Sequence, residues 1–181
     1  YAPNGGSKQY GIGNDIASLG NLDYWQRHFV NIVTETIWDI EPCNFLSEKT
    51  FKPIILKQPF VLLGCAYNLE YLKSYGFKTF DQWWDESYDY IEDPVRRLQA
   101  VADIVKYLDS LSIKQLTNML FEMEPVLEHN FKLFNSQEFL NSAWQELTTN
   151  LKEAVNSAPI LQPYTVPRTQ RYETVIRGQV P

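Results

Sequence analysis

The sequence predicts an α/β fold in which a Rossmann-like parallel sheet comes first and helices follow. Two runs of apolar and β-branched residues, at 29–36 and 60–64, are typical of buried strands. Helical patterns over residues 50–57 and 68–75 follow the first and the second run in turn. Because strands and helices alternate, we expect parallel strands joined by right-handed crossovers.

Residues that break regular structure mark the limits of these elements. The Gly- and Asn-rich residues 1–22 predict a loop, and residues 23–28 predict one short helical turn. The helix over 68–75 is expected to end at Gly76, because glycine readily adopts the left-handed conformation that closes many helices.

The second half of the chain predicts three helices, each beginning at a residue that can cap it. Asp93 followed by Pro94 starts the first helix. Ser112 starts the second, which Pro125 is expected to kink, and Ser136 starts the third. Their apolar stripes are predicted to pack in the core: Val95, Leu98, Val101, Val105 and Leu108; Ile113, Leu116, Leu120, Met123, Leu127, Phe131 and Phe134; Phe139, Leu140, Trp144, Leu147 and Leu151.

Residues 156–181 differ from the rest, because four prolines interrupt any helical pattern. We interpret them as an extended arm, of which residues 171–180 can add as a strand to a partner in an oligomer or a virion. An engineered or disordered tail is the alternative. The predicted organisation is a loop or linker (1–22), a sheet domain (23–110), C-terminal helices (111–155) and this arm.

The composition is that of a folded domain. A length of 181 residues suffices for a full core, and 44% hydrophobic with 21% charged residues argues against a disordered chain. A count of 16 basic against 22 acidic residues gives a net charge of −6, unlike a general binder of nucleic-acid backbones. No apolar run approaches the ~20 residues of a membrane span. Because the chain begins at Tyr1 and not at methionine, we expect a processed product or a piece of a longer protein.

The numbers and spacings of the cysteines and histidines indicate neither a disulfide framework nor a metal or catalytic site. Cys43 and Cys65 are too few for a disulfide framework, and we favour two free thiols in a reducing compartment over a pair. His28 and His129 have neither metal-ligand spacing nor the setting of a catalytic triad. No metal site is predicted.

A polar segment after the first predicted strand is the best candidate site, because ligands bind at this edge of open α/β sheets. Ser47 or Thr50 can cap a helix whose positive end attracts an anion. Lys49 and Lys52 are spaced to reach one ligand, and Glu48 can accept hydrogen bonds from ribose hydroxyls. These residue types suit a nucleoside diphosphate, and the alternative is a capped surface helix with ordinary charges.

Pro53 distinguishes the two starts of this helix. A start at Ser47 puts Pro53 in the second turn, where it is expected to kink the helix. A start at Thr50 puts Pro53 in the first turn, where proline is well tolerated.

Several motifs in this region resemble known sugar-transferring enzymes. TET at 34–36, FLSEKTFK at 45–52 and QPFVLLG at 58–64 resemble the donor half of glycosyltransferases of the fucosyltransferase and exostosin-like kind. GFKTF at 76–80 and WDESYD at 84–89 are similar to glycosyltransferase-like proteins of bacteriophages and large viruses.

The resemblance covers roughly residues 29–110 and implies one half of a GT-B fold. In that fold two Rossmann-like halves face each other, and the C-terminal half holds most of the donor nucleotide. It implies metal-independent transfer from a nucleoside-diphosphate sugar to a hydroxyl, with no resident cofactor. An acceptor-binding half, preceding this chain or on a partner chain, would supply the base, so no catalytic residue is assigned. The implied location is the host cytoplasm or the virion.

The resemblance also implies roles for individual residues. Glu48 and Lys49 match the pair that contacts ribose and diphosphate, and Lys52 stands where the family often has an arginine. Thr36 replaces the asparagine of the family's Glu-Asn pair. Tyr67 is added because it follows the second predicted strand. The expected nucleotide-sugar site comprises Glu35, Thr36, Ser47, Glu48, Lys49, Lys52 and Tyr67.

The segment 81–93 is acidic and aromatic. Its six carboxylates can hold a divalent ion or shift a carboxyl pKa, or they form a solvated turn that caps the next helix. Its aromatic residues can stack on a sugar or pack against the sheet; they are Trp83, Trp84, Tyr88 and Tyr90.

Two functions therefore remain from the sequence. The first is the donor-binding part of a glycosyltransferase. The alternative is a viral structural or assembly protein that keeps a glycosyltransferase-like fold without the chemistry, in which residues 156–181 contact a neighbour.

Overall fold

The computed structural model describes residues 19, 22–39 and 43–157. Over these residues the chain is mixed α/β and mostly helical, with a small two-stranded parallel sheet. The elements in chain order are α1 Leu22–Trp25, β1 Asn31–Thr34, α2 Glu48–Ile55, β2 Phe60–Leu63, α3 Asn68–Ser74, a 3-10 helix Ser87–Tyr90, α4 Pro94–Asp109, α5 Ile113–Phe134 and α6 Gln137–Ser157. The predictions for residues 1–18 and 158–181 lie outside the described residues.

The sheet pairs β1 with β2 in parallel, from Asn31 opposite Phe60 to Thr34 opposite Leu63. All of β2 is buried, as predicted. The prediction of a buried first strand over 29–36 was wrong in length and in burial, because β1 has four residues and Ile32 is 43% exposed. In the part that the structure describes, β1 pairs only with β2, and its pattern of one buried residue among exposed ones is that of an edge strand.

Helix α2 begins at Glu48 and not near residue 50. Ser47 is its N-cap, and the Ser47 hydroxyl accepts a hydrogen bond from the Lys49 backbone N–H at 3.3 Å. Pro53 therefore lies in the second turn, the first of the two expected arrangements. The helix ends at Ile55, and Lys57 follows in a left-handed conformation (φ 51°) that leads into β2.

The predicted caps of the later helices are confirmed. The Asp93 carboxylate accepts a hydrogen bond from the Arg96 backbone N–H at 2.8 Å, with Pro94 in the first turn. Ser112 and Gln115 form a reciprocal capping box at the start of α5, which runs through Pro125 to Phe134.

Only parts of the predicted apolar stripes are buried. Val101 and Leu108 of α4 and Met123 and Leu127 of α5 are core residues, whereas Ile113 is 84% exposed. The assignment of the third stripe to the core holds for Phe139, which packs against it, and was wrong for the other four residues, because they are exposed and α6 has no buried residue. Periodicity identifies an apolar face, but burial also requires a neighbouring element to cover that face. The remaining exposed stripe residues are Val95, Leu98, Val105, Leu120, Leu140, Trp144, Leu147 and Leu151.

The described residues divide into two compact units, and the boundary falls between Ser142 and Ala143, within α6. The first unit contains the sheet and an aromatic cluster in which Phe139 packs against Phe51, Phe77 and Phe134, with ring centroids 5.1–5.8 Å apart. The described part of the second unit is the remainder of α6.

Arg97 of α4 is a buried cation that binds backbone carbonyl groups from three segments. Its guanidinium donates to the carbonyls of Gly64 at 2.9 Å and Glu92 at 3.1 Å, and also to those of Ile91 and Trp38. The side chain therefore holds the segments that leave both strands against the start of α4. No local pattern in the sequence marks this residue.

We expect Arg97→Met to lower the free energy of unfolding by about 3 kcal/mol, because buried carbonyl groups lose their donors. The exposed Arg96, its neighbour on α4, is the matched control. Urea denaturation should show Arg96→Met within about 0.5 kcal/mol of the unmodified chain. Equal stabilities for the two variants would contradict the structural role of Arg97.

Candidate functional site

Glu35 is a buried carboxylate directly after β1, with 1% of its surface exposed. One oxygen accepts hydrogen bonds from the Ser47 backbone N–H at 2.9 Å and the Thr50 hydroxyl at 2.7 Å. The other accepts from the Ser47 hydroxyl at 2.5 Å. Glu35 thus fixes the first turn of α2 to the end of β1, and its described contacts are structural.

Lys49 lies on the outer side of this anchored turn. Its Nζ atom donates to the Thr36 hydroxyl at 3.0 Å and the Ser47 hydroxyl at 3.4 Å, and lies 3.5 Å from a Glu48 oxygen. The Lys49 side chain is 40% exposed, so solvent and ligands can reach the ammonium group. The end of β1 and the start of α2 therefore present one accessible cation beside two hydroxyl groups.

Glu48 is ionised readily in this setting. Partial burial raises its pKa, but the hydrogen bond with its own backbone N–H and the positive charges of Lys49 and Lys52 lower it below the ordinary value. The Glu48 carboxylate contacts Lys49 and the N-terminus of α2. An anionic ligand bound here would make these same contacts.

The other two predicted residues differ in their relation to this group: the charge of Lys52 acts on Glu48, whereas Tyr67 lies at the start of α3. Lys52 belongs to the last turn of α2, further along the helix than Lys49. Tyr67 caps α3 in a left-handed conformation (φ 67°), and its hydroxyl donates to Glu92 at 3.3 Å. Its ring packs against Tyr90. The described contacts thus bring together five of the seven predicted residues: Glu35, Thr36, Ser47, Glu48 and Lys49.

The acidic segment contains structural carboxylates that sequence analysis did not identify. Asp89 accepts hydrogen bonds from the backbone N–H groups of Leu69 at 2.9 Å and Glu70 at 3.1 Å, which secures the start of α3. Glu86 accepts from the Phe80 backbone N–H at 2.8 Å. Burial raises the pKa of both carboxyl groups. The partners of Asp89 lie 19 and 20 positions away and that of Glu86 six positions away, so no capping motif separates these two residues from the four exposed carboxylates, Asp81, Asp85, Glu92 and Asp93.

The aromatic residues of the same segment divide between core and surface. Trp84 and Tyr88 are core residues, and the Tyr88 hydroxyl oxygen accepts a hydrogen bond from the Leu62 backbone N–H at 3.2 Å. Tyr90 is 57% exposed. Trp83 and Trp84 also line a cavity of about 510 Å³ next to α4.

The two histidines and two cysteines have defined partners. His28 bonds with Asn31, and His129 with the carbonyl of Gly76, each at 2.8 Å. The sulfur atoms of Cys43 and Cys65 lie 2.9 Å apart as free thiols. Within residues 19, 22–39 and 43–157, no cluster of three or more His, Cys, Asp or Glu side chains is placed to hold a metal ion.

No family model matches the chain, and neither a curated protein nor a solved structure matches it. Among the described helices, none has the length and apolar character needed to cross a membrane.

The neighbouring carboxyl groups of Asp85 and Glu86 should change the stability of the chain in opposite directions as pH rises. Burial raises the pKa of Glu86 in the folded chain, so its contribution to stability is present at low pH and is lost as pH rises through the folded pKa. Hydrogen bonds from Ser87 lower the pKa of Asp85, so its contribution is present above the ordinary pKa and is lost as pH falls.

Relative to the unmodified chain, Glu86→Gln should therefore become more stable as pH rises, and Asp85→Asn less stable. Urea denaturation of both variants between about pH 3 and pH 7 measures these differences. If the free energies of unfolding of the two variants changed with pH in the same way, burial would not govern the titration of Glu86.

Proposed function

We propose that the chain is the donor-binding half of a GT-B glycosyltransferase and binds a nucleoside-diphosphate sugar at the carboxyl ends of β1 and β2. The observation that supports this most directly is the accessible Lys49 ammonium beside Thr36 and Ser47. The resemblance of the Ser-Glu-Lys segment to fucosyltransferase-like enzymes supports the choice of ligand.

The anchored turn of α2 suits a diphosphate for electrostatic reasons. Glu35 holds Ser47 and Thr50 in place, so the start of the helix is preorganised before a ligand arrives. In the bound state, the carboxylate of Glu48 turns to the ribose hydroxyls. After this movement, the phosphate oxygens bind the Lys49 ammonium group and the positive end of the helix.

Transfer breaks the bond between the sugar's anomeric carbon and the diphosphate oxygen, and a bond to the acceptor oxygen forms. The leaving diphosphate gains negative charge, which Lys49 stabilises more strongly in the transition state than in the bound donor. Lys52 is further along α2 and adds longer-range positive charge. The acceptor and the base belong to the other half of such an enzyme.

A viral assembly protein is the second candidate. The apolar stripe of α6 favours it, because Trp144 is 65% exposed and Leu147, Leu151 and Val155 are exposed with it. Exposed apolar faces of this kind occur at interfaces between proteins. An assembly protein has no need of a nucleotide at Lys49, so nucleotide binding separates the two functions.

We expect a nucleoside diphosphate to stabilise the chain against heating. A ligand present at about 100 times its dissociation constant adds about 2.7 kcal/mol of apparent stability, a shift of several degrees for a chain of this size. Thermal-shift measurements with UDP, GDP and their sugar conjugates test this and identify the base.

Lys49→Ala should abolish the shift, because the phosphate oxygens lose their nearest cation. Lys114→Ala, which removes an exposed lysine from α5, is the matched control and should keep it. If none of the nucleotides shifts the midpoint, or if both variants respond equally, the donor site is wrong and the assembly function is favoured.

A further inference from the structure

Two free thiols lie in contact beside the proposed site. Cys43 lies in the segment before α2, and Cys65 follows β2, so 22 positions in sequence separate them. Their sulfur atoms are 2.9 Å apart. A disulfide requires about 2.05 Å, which is a small further approach for two flexible side chains.

The backbone segments that carry these thiols are already held together by other contacts. The Asn68 side-chain amide at the start of α3 donates to the Phe45 carbonyl at 2.8 Å. A Cβ atom at Gly64 would lie 2.4 Å from that Asn68 nitrogen, so glycine is needed there for this contact. Cys65 also contacts the carbonyl of Ile37 at 3.6 Å. The thiols are therefore juxtaposed by the fold.

We propose that Cys43 and Cys65 form a modification site, at which a low-molecular-weight disulfide such as oxidised glutathione converts the two thiols into an intrachain disulfide. This inference concerns the two sulfur atoms alone and does not depend on nucleotide binding.

The exposure of the two residues sets the order of the steps. Cys43 is partly exposed and its thiolate attacks a sulfur of oxidised glutathione, which releases one glutathione thiolate and leaves a mixed disulfide. Cys65 then loses its proton and attacks the Cys43 sulfur, which releases the second glutathione. Two protein thiols are thus oxidised and one glutathione disulfide is reduced to two thiols.

Burial sets the rate of the second step. Only 1% of Cys65 is exposed, and burial raises the pKa of its thiol to about 11. Only a small fraction of Cys65 is therefore thiolate at neutral pH, and closure of the disulfide should accelerate as pH rises.

The experiment incubates the reduced full chain with excess oxidised glutathione at low protein concentration. Non-reducing peptide mapping by mass spectrometry then identifies the linked peptides. We expect a monomer lighter by two hydrogen atoms, with Cys43 joined to Cys65, no free thiol and a melting midpoint raised by several degrees. Dithiothreitol should reverse each change.

Single substitutions test the assigned order. Cys65→Ala should stop at a stable mixed disulfide between Cys43 and glutathione, and Cys43→Ala should keep its buried thiol unmodified for far longer. The unmodified chain decides the question if a variant fails to fold. Two free thiols, glutathione retained on Cys43, or disulfides between chains would each overturn the proposal.

Discussion

The buried guanidinium of Arg97 is the constraint on which the arrangement of the sheet's carboxyl edge depends. Trp38 follows β1, Gly64 follows β2, and Ile91 and Glu92 precede α4; the carbonyl of each accepts a hydrogen bond from Arg97. In the described part of the chain the sheet has two strands, and such a sheet has few ladder bonds of its own. One planar group with several donors therefore replaces part of the support that further strands would give.

Glu35 also fixes this edge of the sheet. Its carboxylate binds Ser47 and Thr50, so the start of α2 cannot move independently of β1. Lys49 donates to the Ser47 hydroxyl of this network and keeps an accessible ammonium group. Rigid support beneath a single accessible cation is the arrangement that binds an anion with little loss of conformational entropy on association.

Local features of the sequence were predicted well, and features that depend on distant partners were not. Asp93 and Ser112 were identified as caps because each cap and its partner lie within three residues. Glu35 was expected to touch ligand, yet its described partners are 12 and 15 positions away in the chain. Arg97 and Trp38 lie 59 positions apart, so no local pattern in the sequence predicts their contact. The stripe on α6 likewise shows its apolar face but not what covers it.

An NMR titration of the isotopically labelled chain with UDP and GDP tests the central claim most directly. If the edge formed by β1 and α2 binds a diphosphate, the largest changes in amide chemical shift should occur at Thr36 and at residues 47–50. Amides of α4 that do not contact this edge should change little. Changes spread over α4 and α5, or none at millimolar nucleotide, would contradict the account.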